Sequence, residues 1–172
     1  MTSQTCPAEF IALAQRLADA AGAAIRPHFR TPFPVETKPD RSPVTVADHA
    51  SEKAMRDLIE AQVPDHGIIG EEYGKVREDA EYRWILDPID GTKSFATGLP
   101  IFGTLIALVH GDRPILGIID QPILGERWLG AVGRQTTLSQ SRSTPALVEA
   151  YTRPCPELGL ASLFATTFDR FN

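Results

Sequence analysis

The stretch Trp84-Ile85-Leu86-Asp87-Pro88-Ile89-Asp90-Gly91-Thr92 constrains this chain more than any other. An apolar run of strand character ends in two aspartates three residues apart, separated by a proline. Carboxylates this close repel and raise one another's pKa, so the arrangement is costly unless a cation or hydrogen-bond donors neutralise it. A divalent metal is the natural answer: Mg²⁺ takes oxygen ligands octahedrally at about 2.0 to 2.1 Å, and a rigid Asp-Pro-Ile-Asp turn offers two carboxylates plus the Ile89 carbonyl. A second acidic pair, Glu71-Glu72, follows the apolar run Ile68-Ile69-Gly70. In a sheet, two strand ends carrying acids can converge on one cation.

Gly91 and Thr92 follow the second aspartate, where glycine lets the backbone approach a ligand and exposed N–H groups can cradle a phosphate. Metal plus phosphate implies phosphoryl chemistry. With two cations about 3.5 to 4 Å apart, one sharpens a water into a nucleophile while the other stabilises the leaving oxygen. Asp-Pro-x-Asp-Gly standing alone is also a good turn sequence, and Asp48 could serve only as an acid at a helix N-terminus. Adjacent strand residues point to opposite faces, which favours Glu71 as the ligand and Glu72 as its solvated or supporting neighbour. His28, His49, His66 and His110 are scattered without metal-like spacing and suit surface or capping roles. No histidine and acid form a triad with Ser94. Trp84, Phe102 and Trp128 suit the core or an interface.

Periodicity supplies the rest of the architecture. Phe10, Leu13, Ala14, Leu17, Ala21, Ala24 and Ile25 recur at helical spacing from Pro7 to about His28. A proline-rich loop with a short Val35–Lys38 extended piece follows, and a second helix starts near Thr45, with Asp48 and Glu52 early where the macrodipole favours acids, and stops before Pro64. Strands are expected at Gly67–Gly70, Tyr82–Leu86, Phe102–Val109, Pro114–Ile119 and Arg127–Val132. The turn signals between consecutive runs favour an antiparallel meander. Two helices followed by strands indicate a layered α+β fold. Residues 133 to 159 read as irregular, with the start of a further strand at Leu160–Ala165.

Composition excludes several classes. With 172 residues and a net charge of -5, the chain can bury its own core without disulfide or metal staples. No window has the roughly 20 apolar residues of a membrane span, and the opening residues lack a signal-peptide pattern, so no membrane partner and a cytoplasmic location are expected. Cys6 and Cys155 lack zinc-site spacing and read as reduced, inert thiols. Mild acidity without a basic cluster argues against nucleic acid, leaving a small molecule as partner.

Gly70-Glu71-Glu72 followed by Trp84 to Thr92 resembles the paired signature of the inositol monophosphatase superfamily. Thr45-Val46-Ala47-Asp48, with Lys38 ahead of it, resembles the family's early active-site segment, and Gly117 to Trp128 looks most like its histidinol-phosphatase branch. The resemblance implies a layered αβαβα sandwich with an antiparallel main sheet, its second half truncated here. It implies Glu71, Asp87, Asp90 and the Ile89 carbonyl as ligands of two or three Mg²⁺ ions, with Asp87 bridging. Asp48 and Thr92 would orient the attacking water, with Lys38 in the same catalytic group. Asp90, Gly91 and Thr92 would face the substrate, the last two holding its phosphate by their N–H groups. It further implies a homodimer acting on a small phosphate monoester, histidinol phosphate first and inositol phosphate second. The similar proteins continue past Asn172 and carry there another metal-binding aspartate and most substrate-selecting residues. The expected organisation is therefore an α+β unit with the metal site over residues 1–132 and an incomplete second part over 133–172. The contrasting expectation is a catalytically silent chain that only binds cations or pairs with a full-length partner.

Overall fold

In the computed structural model, the described residues are 5–37, 43–140 and 146–149. Helix α1 (Ala8–Ile25) buries the stripe Ile11, Ala14, Leu17, Ala18, Ala21 and Ile25, and a short 3₁₀ turn, Arg26–His28, ends it. Strands β1 (Val35–Thr37) and β2 (Pro43–Thr45) form a small antiparallel ribbon. Helix α2 (Val46–Gln62) starts on a capping box: Thr45 accepts from the Ala47 N–H, and the Asp48 carboxylate accepts from the Thr45 N–H.

The main sheet has eight strands in the order β10-β9-β8-β7-β6-β5-β3-β4. They are β3 (Gly67–Gly70), β4 (Gly74–Val76), β5 (Tyr82–Asp90), β6 (Gly103–His110), β7 (Arg113–Gln121), β8 (Glu126–Ala131), β9 (Thr137–Gln140) and β10 (Ala146–Glu149). A short helix, α3 (Thr92–Ala96), leaves the end of β5.

The expected antiparallel meander runs from β5 to β10, but β3 lies parallel to β5. The chain turns back from β3 into β4 on the sheet's edge, then crosses to lay β5 on the other side of β3. A second correction concerns residues 133 to 159. Thr137–Gln140 and Ala146–Glu149 are strands that extend the sheet, because backbone pairing of β9 with β8, and of β10 with β9, overrides the Ser/Thr-rich composition of the segment around them. The strand expected at Leu160–Ala165 lies outside the described residues, as does Cys155.

One sheet face is packed under α1 and α2. There Trp84, Leu86, Ile106, Leu108, Leu116 and Ile118 meet Leu17, Met55 and Ile59 in a single core. Arg127 pins α1 to this sheet, its guanidinium bonding Asp120 Oδ1 at 2.7 Å and Asp19 Oδ1 at 2.8 Å. A second core joins Ile25, Ala47, Ile89, Phe95 and Phe102 beneath α3. The opposite sheet face carries Ile85 and Ile119 at 41% and 50% exposure. With Leu105, Trp128 and their neighbours they line a groove of about 540 Å³ that reaches Asp87. Apolar side chains on both faces are what a middle layer of a sandwich requires. Trp84 and Phe102 are core residues, as expected, while Trp128 lines the groove. No helix among the described residues is long and apolar enough to cross a membrane.

Candidate active site

The parallel pairing of β3 with β5 creates the site. Their register sets Gly70 beside Leu86, so the next residues, Glu71 just past the end of β3 and Asp87 within β5, stand at the same level. The Glu71 N–H continues the ladder, donating to the Leu86 carbonyl at 3.2 Å. An antiparallel pair would have sent the two acids to opposite ends of the sheet.

Pro88 then disturbs β5. It has no N–H for the ladder, and the register with β6 shifts between Asp87 and Asp90. The freed Pro88 carbonyl accepts from the buried Thr104 hydroxyl at 2.8 Å. The strand therefore extends through both aspartates rather than ending before them. Gly91, at φ 98, turns the chain into α3 in the left-handed region that favours glycine, with Phe102 packed too closely to welcome a Cβ.

Asp87 is the electrostatic centre. Its carboxyl is pushed up to about 8, first by burial, then by the charge of Glu71 and a hydrogen bond with it, and further by Asp90 and Asp48. Acids from α2, the turn after β3 and the end of β5 thus all act on Asp87. Asp87 Oδ1 is buried and has no hydrogen-bond partner. Such an orphaned acceptor beside like charges suits a dication better than it suits a fold. Among the described residues, no three acidic, thiol or imidazole side chains are already drawn together as a complete ligand cage. The close pair is Glu71 with Asp87; Asp90 is exposed at the rim.

Asp48 is fully buried on the other side. Its Oδ2 accepts from the Thr45 hydroxyl at 2.6 Å and the Thr45 N–H at 2.8 Å. Its Oδ1 accepts from the Thr92 hydroxyl at 3.3 Å, across 44 residues of sequence. Burial raises its pKa, and these donors oppose the rise. Asp48 is therefore the helix-capping acid the plainer reading expected, and it also reaches the β5–α3 turn. Thr92 Oγ1 lies 3.0 Å from the Ile89 carbonyl, bringing Asp48, Ile89 and Thr92 together. Lys38 lies outside the described residues.

Sequence reading overlooked Glu52, taken only as an early helix acid. It is fully buried on α2 and accepts from the Glu72 and Tyr73 N–H groups at 2.7 and 3.1 Å. The signal was present: Asp48, Glu52, Met55 and Ile59 share the buried stripe of α2, and an acid on an apolar stripe needs partners. The four histidines take no part in the acid cluster. His66 accepts from Trp84 Nε1 at 3.2 Å and stacks on Tyr82, and His110 also stacks on Tyr82, with ring centroids 4.4 Å apart. Burial pushes the Cys6 thiol up, in keeping with an inert core residue.

Comparison with known proteins agrees with this fold. The chain is 51% identical over 160 residues to the bifunctional phosphatase IMPL2, chloroplastic, of Arabidopsis thaliana, covering 92% of this chain and 44% of that protein. It is 44% identical over 121 residues to a histidinol-phosphatase of Streptomyces coelicolor, covering 67% and 45%. Among solved structures, an inositol monophosphatase from Zymomonas mobilis superimposes with a TM-score of 0.70 at 48% identity, covering 86% of this chain and 54% of that one. The chain thus spans about half the length of the relatives it matches. The model of the inositol monophosphatase family matches residues 7–167. With the fold and the sequence in agreement, the chain belongs to the inositol monophosphatase family.

Proposed function

We propose that this chain carries the acidic metal centre of a Mg²⁺-dependent phosphomonoesterase acting on a small phosphate monoester, histidinol phosphate first and inositol phosphate second. The observation that carries the reading is the buried, partnerless Asp87 Oδ1, on a carboxyl that burial and then the neighbouring carboxylates push up to about 8. Glu71, Asp87, Asp90 and the Ile89 carbonyl would hold the ions, two or three in number, with Asp87 shared. Bound there, Mg²⁺ supplies Lewis acidity toward the phosphoryl oxygens and lowers the pKa of water. Asp48 and Thr92 orient the attacking water: the Asp48 carboxylate, held by Thr45, fixes the Thr92 hydroxyl beside the Ile89 carbonyl. The Gly91 and Thr92 N–H groups receive the phosphate at the turn from β5 into α3. Lys38 is assigned to the same catalytic group on resemblance alone.

The preference for histidinol phosphate draws on the names of the relatives, among them histidinol-phosphatases from Streptomyces coelicolor and Mycobacterium tuberculosis. A homodimer, and a division near residue 132 between the metal-bearing unit and a second part, belong to the same reading. The test is phosphate release from both substrates, with and without Mg²⁺, by this chain and by a version extended to the length of its relatives. Mg²⁺-dependent release by the extended version, faster on histidinol phosphate, is expected; an extended version inert on every phosphomonoester refutes the enzyme.

The exposure of apolar Ile85 and Ile119 among the described residues favours a second reading, in which this chain binds cations and pairs with a longer partner without turnover. Turnover by this chain alone refutes it.

A further inference from the structure

We infer that Glu52 is a positioning residue that aims Glu71 at the cation site. The inference rests on the reading of Glu71 as a ligand and deepens it.

Glu71 stands just after β3, exposed, in a turn that could rotate freely were it not fixed on both sides. On one side the Glu71 N–H is held by the Leu86 carbonyl. On the other, the next peptide is held by Glu52: the Glu72 N–H donates to Oε2 at 2.7 Å, and the Tyr73 N–H donates to Oε1 at 3.1 Å. With both flanking peptide planes fixed, the φ and ψ of Glu71 are set, and its side chain meets Asp87.

Glu52 is itself tightly held. It is fully buried, and Arg56, one turn on, donates from Nε to Oε1 at 2.7 Å. The same guanidinium donates from Nη2 to the Gly74 carbonyl at the far end of the turn and lies over the Tyr73 ring at 5.9 Å. The charge of Glu52 is thus matched by one cation and two amide donors, which makes the buried carboxylate tolerable. Gly70 provides the space: a Cβ there would overlap Glu52 Oε1 and Cδ and lie 2.7 Å from Arg56 Nη2. The glycine before the acidic pair is therefore needed for the passage of the Glu52 carboxylate rather than for backbone freedom.

Helix α2 consequently serves both halves of the site from one face. Asp48 reaches the β5–α3 turn, and Glu52, four residues later, fixes the β3–β4 turn. Groups that orient a metal ligand typically change affinity about 10- to 100-fold when lost.

The test uses Mn²⁺ as the probe, titrated by electron paramagnetic resonance into the parent chain, Glu52→Gln, Gly70→Ala and Met55→Ala. Amide exchange of Glu72 and Tyr73 is followed in the metal-free proteins. Glu52→Gln keeps the side chain's shape but loses the charge and one acceptor. Gly70→Ala displaces the Glu52 carboxylate with an added methyl while leaving Glu52 itself unaltered, and serves if Glu52→Gln does not fold. Met55→Ala opens the same helix face with no bond to the turn. We expect Glu52→Gln and Gly70→Ala to weaken Mn²⁺ about 10- to 100-fold and to release both amides. Met55→Ala should lower the melting temperature while leaving affinity and protection intact. Parental affinity in Glu52→Gln or Gly70→Ala, or an equal loss in Met55→Ala, overturns the role of Glu52. Failure of the parent to bind Mn²⁺ overturns the cation reading itself, and the inference with it, whatever the amides show.

Discussion

The middle of the sheet and the ends of β3 and β5 are built on opposite terms. In the middle, Trp84, Leu86, Ile106 and Leu108 are buried under α1 and α2, and burial of apolar surface there stabilises the fold. Further along the same β5 strand, burial first, and then the charges of Glu71, Asp90 and Asp48, raise Asp87 to about 8. One strand therefore contributes stability at one end and carries its cost at the other. That difference locates function, because like charges held together by a rigid scaffold imply a ligand that compensates them.

The comparison is broken most forcefully in the core. Trp84→Ala should cost about 3–5 kcal/mol in denaturant unfolding while leaving the cation affinity of the folded fraction unchanged. A loss of affinity as large as the loss of stability would show that the two regions are not separable. Arg127→Ala removes the ion pair to the buried Asp120 and unpins α1, and should cost about 1–3 kcal/mol. It tests whether the helix layer depends on this polar link as well as on apolar contact.

Asp87→Asn sharpens the contrast from the other side. The amide can still donate to Glu71, and it removes a titrating acid from a crowded site, so the melting temperature of the metal-free protein should stay level or rise. Mg²⁺ binding by calorimetry should disappear. A fall in stability comparable to that of Trp84→Ala would make Asp87 a structural residue.

The smallest effect belongs to His66, at the core's edge. Burial lowers its pKa below 6.5, and Nδ1 accepts from Trp84. Because the unfolded chain protonates first, stability should be complete above 6.5 and fall as the pH drops from there toward the folded value. Chemical denaturation across that range should show the slope in the parent and a weaker one in His66→Asn. An unchanged slope would assign the effect to other groups.

Much of this was legible in local pattern. The two helices follow from their apolar spacing, with α2 opening at Val46 on the Thr45 cap, and the strands of the β5 to β8 meander follow from apolar runs between turn signals. The acid pairs stood out because repulsion between close carboxylates is a local property. The parallel placement of β3 was not legible, since strand order depends on contacts made far along the chain, and turn signals suggest only neighbours. Nor were β9 and β10, which lie in a segment whose Ser, Thr and Pro content says loop while backbone pairing says strand. Glu52 was hidden for a similar reason: its partners, the Glu72 and Tyr73 amides, lie about twenty residues downstream.

The most direct measurement is anomalous diffraction from crystals of this chain grown with Mn²⁺. The account predicts a metal peak bonded to Asp87 and Glu71, with Asp90 or the Ile89 carbonyl completing the protein ligands. Peaks confined to other parts of the surface, with those side chains turned apart, would contradict it.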